Sequence, residues 1–309
     1  APLYGRRSGQ CLLEPLEFRA ARRFFPKFAV ADQIRAYAIL GGVPAYLLQF
    51  SDRKTIRENI RDAILSPRVF LHDEPRFLLR EELREPANYF SVLAAIAAGK
   101  TRQNEIAQAA GLSSRDMAGP YLRTLQELRL VERQVPISEP HPHKSRKGIY
   151  RLRDHFFRFW FRFVYPYESA LARGDLIGVL ERHIEPYLDE FVAAVFEEIA
   201  RHHIWHLAIA KHIPFTVDRV GSWWSRRHEI DVVAVGEDTL LLAECKWSAN
   251  PIGPSVLSDL KRAGEALVAE NPHLQRGVKN RPRVLHYALF SRSGFTKAVL
   301  LFDAEDLVR

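Results

Sequence analysis

The run Glu229-Ile-Asp-Val-Val-Ala-Val-Gly-Glu-Asp-Thr-Leu-Leu-Leu-Ala-Glu-Cys-Lys246 constrains this chain more than any other segment. Two apolar, β-rich stretches flank Gly236-Glu-Asp-Thr239, so the spacing predicts a hairpin. With a loop of two or four residues, Val235 pairs with Leu240 and Asp231 stands opposite Glu244. Side chains alternate along a strand, so Glu244 and Lys246 share a face. Strands this apolar read as buried on both faces, and a charge within them costs free energy unless it is paired or bound to metal. Two facing carboxylates repel and call for a cation. Mg2+ suits such a place, because it takes one or two carboxylates and keeps several waters. Lys246 is then placed to orient an attacking water and to balance charge developing on a phosphate.

The expected fold class is multidomain α/β. Residues 181–309 alternate helix and strand: a long helix over Pro186–Ile204, strands at Glu229–Val235 and Thr239–Trp247, a helix near Val256–Ala269, then strands at Arg283–Phe290 and Ala298–Phe302. This predicts a mixed sheet flanked by helices. Residues 86–153 differ. Phe90, Leu93 and Ile96 mark a first helix, Asn104–Ala110 a second, and Tyr121, Leu122, Leu125 and Leu128 a third, capped by Ser113 or Ser114. Pro120 marks either a kink or the true start of that helix. Leu130–Val135 and Gly148–Leu152 read as two strands joined by the basic loop Glu139–Lys147, the plan of a winged helix-turn-helix. Residues 1–85 read as a helical lid or connector of short helices separated by Pro and Gly. Within 154–180, His155–Tyr165 is apolar around most of its circumference and predicts a buried connecting helix.

Charge sharpens the reading. The net charge is +8, and residues 86–153 carry 11 Lys and Arg against 5 Asp and Glu, while the rest of the chain carries 34 against 32. A basic excess gathered in one segment is a candidate nucleic-acid footprint. Arg115, Arg123, Lys144, Arg146 and Lys147 are its candidate phosphate contacts, with domain docking as the competing role. No apolar run approaches the roughly 18 residues of a membrane span. Two distant cysteines, Cys11 and Cys245, fit a reducing cytoplasm. The chain opens on Ala1, and its sole Met is Met117, so a partial polypeptide is expected.

Asp231, a hairpin, then Glu244-Cys-Lys246, preceded by a helix bearing Phe196-Glu-Glu198, resembles the PD-(D/E)XK nuclease superfamily. The resemblance implies Asp231 and Glu244 as Mg2+ ligands, with Mn2+ as the substitute, the Cys245 carbonyl as a further ligand, and Lys246 serving the water. It also implies a helix carboxylate, Glu197, with Glu198 in reserve because the helical wheel does not decide between them. Ile230 stands where the motif has Pro. A wider resemblance covers the chain. Tyr4-Gly-Arg-Arg-Ser-Gly9, Leu16-Glu-Phe-Arg19, Ala38–Tyr46, Asn104-Glu-Ile-Ala107, Tyr150–Asp154 and Phe159–Phe163 look like the archaeal-type ATPases of the STAND/AAA-like group. That implies a chain starting just after a P-loop core, with Arg6 and Arg7 at its edge. ATP would bind only through that absent core, which is then a partner alongside DNA.

The expected function is therefore a Mg2+-dependent DNA phosphodiesterase, or a derivative that binds DNA without cutting. The alternative is a non-catalytic regulatory arm of an ATPase with a degenerate nuclease fold. Several decoys fall away. Ala98-Gly-Lys-Thr101 lacks the earlier Gly of a phosphate loop and follows a helix. His202 and His206 have metal-capable spacing, but no Cys completes a site. Trp223 and Trp224 read as packing at a strand entrance rather than as base-stacking groups.

Overall fold

The computed structural model describes residues 13–83, 85–113, 118–277, 280–296 and 301–303. The expectations for Tyr4–Gly9, Cys11, Ser114, Arg115 and the start of a strand at Ala298 lie outside these residues. Before residue 83 the chain is helical: α1 Phe18–Ala21, α2 Val30–Leu40, α3 Pro44–Leu47, α4 Ile56–Ile60 and α5 Phe70–Glu82. Local chemistry sets the boundaries. Pro44 opens α3. Thr55 and Glu58 cap α4 reciprocally. Gly41, with φ +67, ends α2 and donates its N–H to Tyr37 O.

Three helices follow, α6 Pro86–Ala97, α7 Gln103–Ala109 and α8 Ala118–Glu127. Pro120 falls in the first turn of α8, where the missing N–H costs nothing. An antiparallel pair comes next, β1 Val131–Gln134 and β2 Ile149–Leu152, with Val131 opposite Leu152. Their connecting loop does not stand free. Ile137 donates its N–H to Ser222 O at 2.9 Å, and His273 Nε2 donates to Ser138 O at 2.8 Å. The apolar start of the loop, Val135-Pro-Ile137, thus docks on an edge strand and covers it, as exposed edges require.

The aromatic segment forms α9, His155–Phe163, in which Phe156, Phe157, Phe159, Trp160, Phe161 and Phe163 are all buried. Aromatic residues are mediocre helix formers, so packing worth about 1.5–3 kcal/mol per ring holds this helix. Short helices α10 Glu168–Ala172 and α11 Leu176–Val179 lead into the long α12, Glu185–Ile209.

The rest is β3 Arg219–Trp224, β4 Glu229–Val235, β5 Thr239–Lys246, α13 Pro254–Glu270, α14 Pro272–Gln275, β6 Val284–Ser291 and β7 Leu301–Asp303. The five strands form one mixed sheet in the order β3-β4-β5-β6-β7, antiparallel from β3 to β5 and parallel from β5 to β7. Helices flank it. Val232, Ala234, Leu241, Ala243 and Trp247 share a core with α2, α9 and α12, while Val233, Val235, Leu240 and Leu242 pack with Leu260 and Leu267 of α13. The β4–β5 turn closes with Gly236 N–H on Thr239 O at 2.9 Å. Glycine is required at 236, since a Cβ would lie 2.0 Å from Thr216 O. Among the described residues no helix is long and apolar enough to cross a membrane.

Candidate functional site

Val235 pairs with Leu240 and Val232 with Ala243, the register expected of the hairpin. One step further along each strand stand Asp231 and Glu244. On the other side of β4 the ladder slips. Gly221 pairs with Val233 but Trp223 with Ile230, so Asp231 and Val232 share the place opposite Ser222. This β-bulge breaks the in-out alternation at the acidic residue, a common way to re-aim one side chain. Asp231 uses that freedom to turn its carboxylate into the gap between β4 and β5, where Oδ2 accepts the Cys245 N–H at 2.8 Å.

Three further groups converge there. Lys246 pairs with Glu244, two residues away on the same face of β5. Glu197 approaches from α12, and Arg201, one turn on, lies 3.8 Å from it while donating from Nη1 to Asp231 O at 2.9 Å. Burial pushes the Asp231 carboxyl up to about 8, and the charges of Glu197 and Glu244 add to the rise; the Cys245 N–H and Lys246 only partly oppose it. Glu197 is also pushed up, first by burial, against the pull of Arg201 and Arg151. Lys246 loses charge preference through burial, but Glu244 and Asp231 outweigh that and hold its ammonium above the usual range. Burial keeps the Cys245 thiol protonated, so this residue can offer oxygen chemistry only through its carbonyl.

The structure thus brings together Glu197, Asp231, Glu244, Cys245 and Lys246. It gives Glu198 to a different neighbourhood, where His155 Nε2 lies 3.1 Å from its Oε2. Of the basic residues, Arg123, Lys144, Arg146 and Lys147 are exposed, and Lys147 pairs with Glu139 at 2.8 Å. Arg115 lies outside the described residues. Trp223 is buried in the sheet core, a packing role as expected, but it lies within β3 rather than at a strand entrance. His206 pairs with Glu17 rather than with a metal-ligand partner.

As arranged, no group of three or more His, Cys, Asp and Glu among the described residues stands ready to hold an ion. The donor chemistry nevertheless fits a hard divalent cation. The acids supply oxygen ligands, and the carboxyls of Asp231 and Glu197 are pushed up first by burial and then by neighbouring negative charge.

Two contributors were not anticipated. Arg201 had a signal, its i,i+4 spacing from Glu197. The second is a clamp on Trp247 just past Lys246. Arg35 and Arg292 lie 5.6 and 4.9 Å from its ring centre, and Nε1 donates to Asp189 Oδ1 at 3.0 Å. Asp189 also pairs with Arg35 at 3.2 Å and Arg292 at 3.0 Å. This clamp ties α2, α12 and the ends of β5 and β6 together beside Lys246.

A family described as archaeal and bacterial proteins of unknown function, DUF234, matches residues 160–259, a stretch that holds α12, the hairpin and the whole acidic cluster. A Methanocaldococcus jannaschii protein described as uncharacterized is 33% identical over 249 residues, which are 80% of this chain and 55% of that relative. The chain therefore spans about half the length of the curated relative it matches. No solved structure matches.

Proposed function

We propose that the chain carries a divalent-metal-dependent phosphodiesterase centre of the PD-(D/E)XK type, acting on DNA in the cytoplasm. In this reading residues 181–309 are the nuclease-like domain and 86–153 a winged helix. Residues 154–180 form a connector and 1–85 the lid of an archaeal STAND/AAA-like ATPase. The observation that carries it is the Asp231 carboxylate in the gap beside Cys245, bulged out of register and crowded by Glu197 and Glu244.

In the reaction, Asp231, Glu244 and the Cys245 carbonyl would hold Mg2+ or Mn2+, with Glu197 beside them. The ion would supply Lewis-acid charge at the scissile phosphate and a water of lowered pKa. Lys246 releases Glu244 and turns its ammonium toward the attacking water and the phosphoryl oxygens. Arg201 holds the backbone of Asp231 in place and stays oriented by Glu197. The Trp247 clamp fixes the strand end, so Lys246 swings from a rigid base. Within residues 86–153, Arg123, Lys144 and Arg146 supply exposed cations for phosphates.

A second reading draws on the Lys246–Glu244 pair. Here a lysine already neutralises the acid that a metal would need. The domain would then serve as a non-catalytic regulatory arm of the ATPase.

Plasmid cleavage with Mg2+ or Mn2+ separates the two. The nuclease reading expects wild type to cut, and Asp231→Asn and Lys246→Ala to cut at least about 100-fold more slowly. Equal cutting by all three overturns the site assignment. No cutting, together with no rise in melting temperature on adding Mn2+, favours the regulatory arm.

A further inference from the structure

A cleft of about 510 Å3 lies between α12, β3 and the docked hairpin loop. It is separate from the acidic cluster but shares one wall with it. Arg201 lines the cleft and also bonds the backbone of Asp231. Its floor includes Pro136 and Ile137, and its walls carry Trp205, His202 and Arg219. The volume suits a ligand of nucleotide size.

Trp205 is the unusual member. Of the five tryptophans, Trp160, Trp223 and Trp247 are buried and Trp224 is half-buried, whereas Trp205 is 38% exposed and faces this cleft. An indole face laid open in a concave, cation-lined space is costly to leave wet, and it gives a planar base a surface to stack on. Arg219 is exposed at the far wall, at the start of β3. Glu139, the acid lining the cleft, is offset by its ion pair with Lys147. Aromatic face, apolar floor and guanidinium together make the combination that takes single strands: stacking for the base and charge for the backbone.

We propose that this cleft binds a single-stranded nucleic-acid segment, with one base stacked on Trp205 and a neighbouring phosphate held by Arg219. The proposal rests on the nuclease reading for its purpose, since Arg201 would set the bound strand next to Asp231. It assigns the docked loop a role as well. By packing on β3 through Ile137, the loop builds one side of a binding cleft.

The test is fluorescence anisotropy of fluorescein-labelled octathymidylate with the full chain in EDTA, titrated at several NaCl concentrations and repeated with octauridylate. Trp205→Ala should weaken binding of either strand about tenfold or more, and Trp205→Phe should keep most of it. Arg219→Ala should lower the log–log salt slope by about 0.7, the share of one phosphate on a single strand. Unchanged melting temperatures certify the folds, because both side chains are exposed. Binding equal to wild type in Trp205→Ala and Arg219→Ala, or no binding by wild type, overturns the proposal. Trp205-dependent binding without any plasmid cleavage would remove the nuclease centre and keep the cleft. Cleavage by wild type with Trp205-independent binding would do the reverse.

Discussion

Glu197 and Glu198 are neighbours on one helix, yet their surroundings drive their carboxyls in opposite directions. Glu197 faces the sheet, where burial, helped by the charges of Glu229 and Glu244, outweighs the pull of Arg201 and Arg151, and it takes up a proton more readily than a free glutamate. Glu198 faces α9. Burial there favours its protonated form, but the His155 charge and hydrogen bond, with Arg158 and His202, pull the carboxyl well below the usual range. His155 in turn reaches Tyr37 O through Nδ1 at 3.2 Å, so the pair ties α12 to both α9 and α2. One position is a compensated structural tie. The other is a cluster of acids whose burial the nearby Arg201 and Lys246 offset only in part.

The largest predicted effect tests the tie. Glu198→Ala takes from buried His155 its hydrogen-bonded carboxylate, and from Arg158, whose Nε and Nη2 have no hydrogen-bond partner among the described residues, the strongest of its opposing charges. The loss should be about 2–3 kcal/mol, read as a lower urea midpoint at unchanged slope. Asp231→Asn should do the opposite. The amide can still accept the Cys245 N–H but carries no charge, so the metal-free protein should gain about 1 kcal/mol, or roughly 2–4 °C in melting temperature. The same variant should lose any stabilisation by Mn2+. A destabilised, metal-responsive Asp231→Asn would mean that the cluster is not a repulsive one.

The pair also predicts opposite pH slopes. The Glu198 carboxyl is depressed, so its contribution is present above the unfolded value near 4.3 and fades as pH falls below it. The Glu197 carboxyl is raised, so its contribution is full below about 4.3 and fades as pH rises above it. Melting curves from pH 3.5 to 8 should therefore lose part of their acid sensitivity in Glu198→Gln and part of their high-pH decline in Glu197→Gln. Parallel curves for the two variants would erase the contrast.

Much of this contrast was written in the sequence, but not all of it. The apolar runs around Asp231 and Glu244 mark two strands buried on both faces, and the short loop Gly236–Thr239 between them sets the register that puts Val235 opposite Leu240. The division of labour between Glu197 and Glu198 was not legible from the wheel. It depends on α9 crossing α12 and on a bulge opposite Ser222, both tertiary facts. β3 was missed because Arg219-Val-Gly-Ser-Trp-Trp224 has a glycine in mid-strand and no clean alternation. The docking of the 135–148 loop was hidden for a similar reason. Its basic tip suggests a free wing, while its short apolar start, which decides the packing, carries no periodicity at all. α12 continues to Ile209, past the expected end at Ile204, and so places Trp205 on a helix wall.

The smallest predicted effect uses a second His–Glu pair on α12 as the control for the first. His206 Nε2 lies 2.6 Å from Glu17 Oε2, closer than the 3.1 Å between His155 and Glu198. If distance set the worth of a pair, His206 would matter more. Burial argues the reverse: His206 and Glu17 are 39% and 49% exposed, whereas His155 is 5% and Glu198 33% exposed. Water and salt screen the outer pair, and each partner loses little on being released. His206→Gln should therefore change stability by no more than about 0.5 kcal/mol, and raising NaCl to 1 M should erase even that. His155→Gln should cost several times as much and respond weakly to salt, because the imidazole itself is buried. Equal losses from the two variants would show that the inner pair is no stronger than a surface contact. The asymmetry between Glu197 and Glu198 would then lose its structural half.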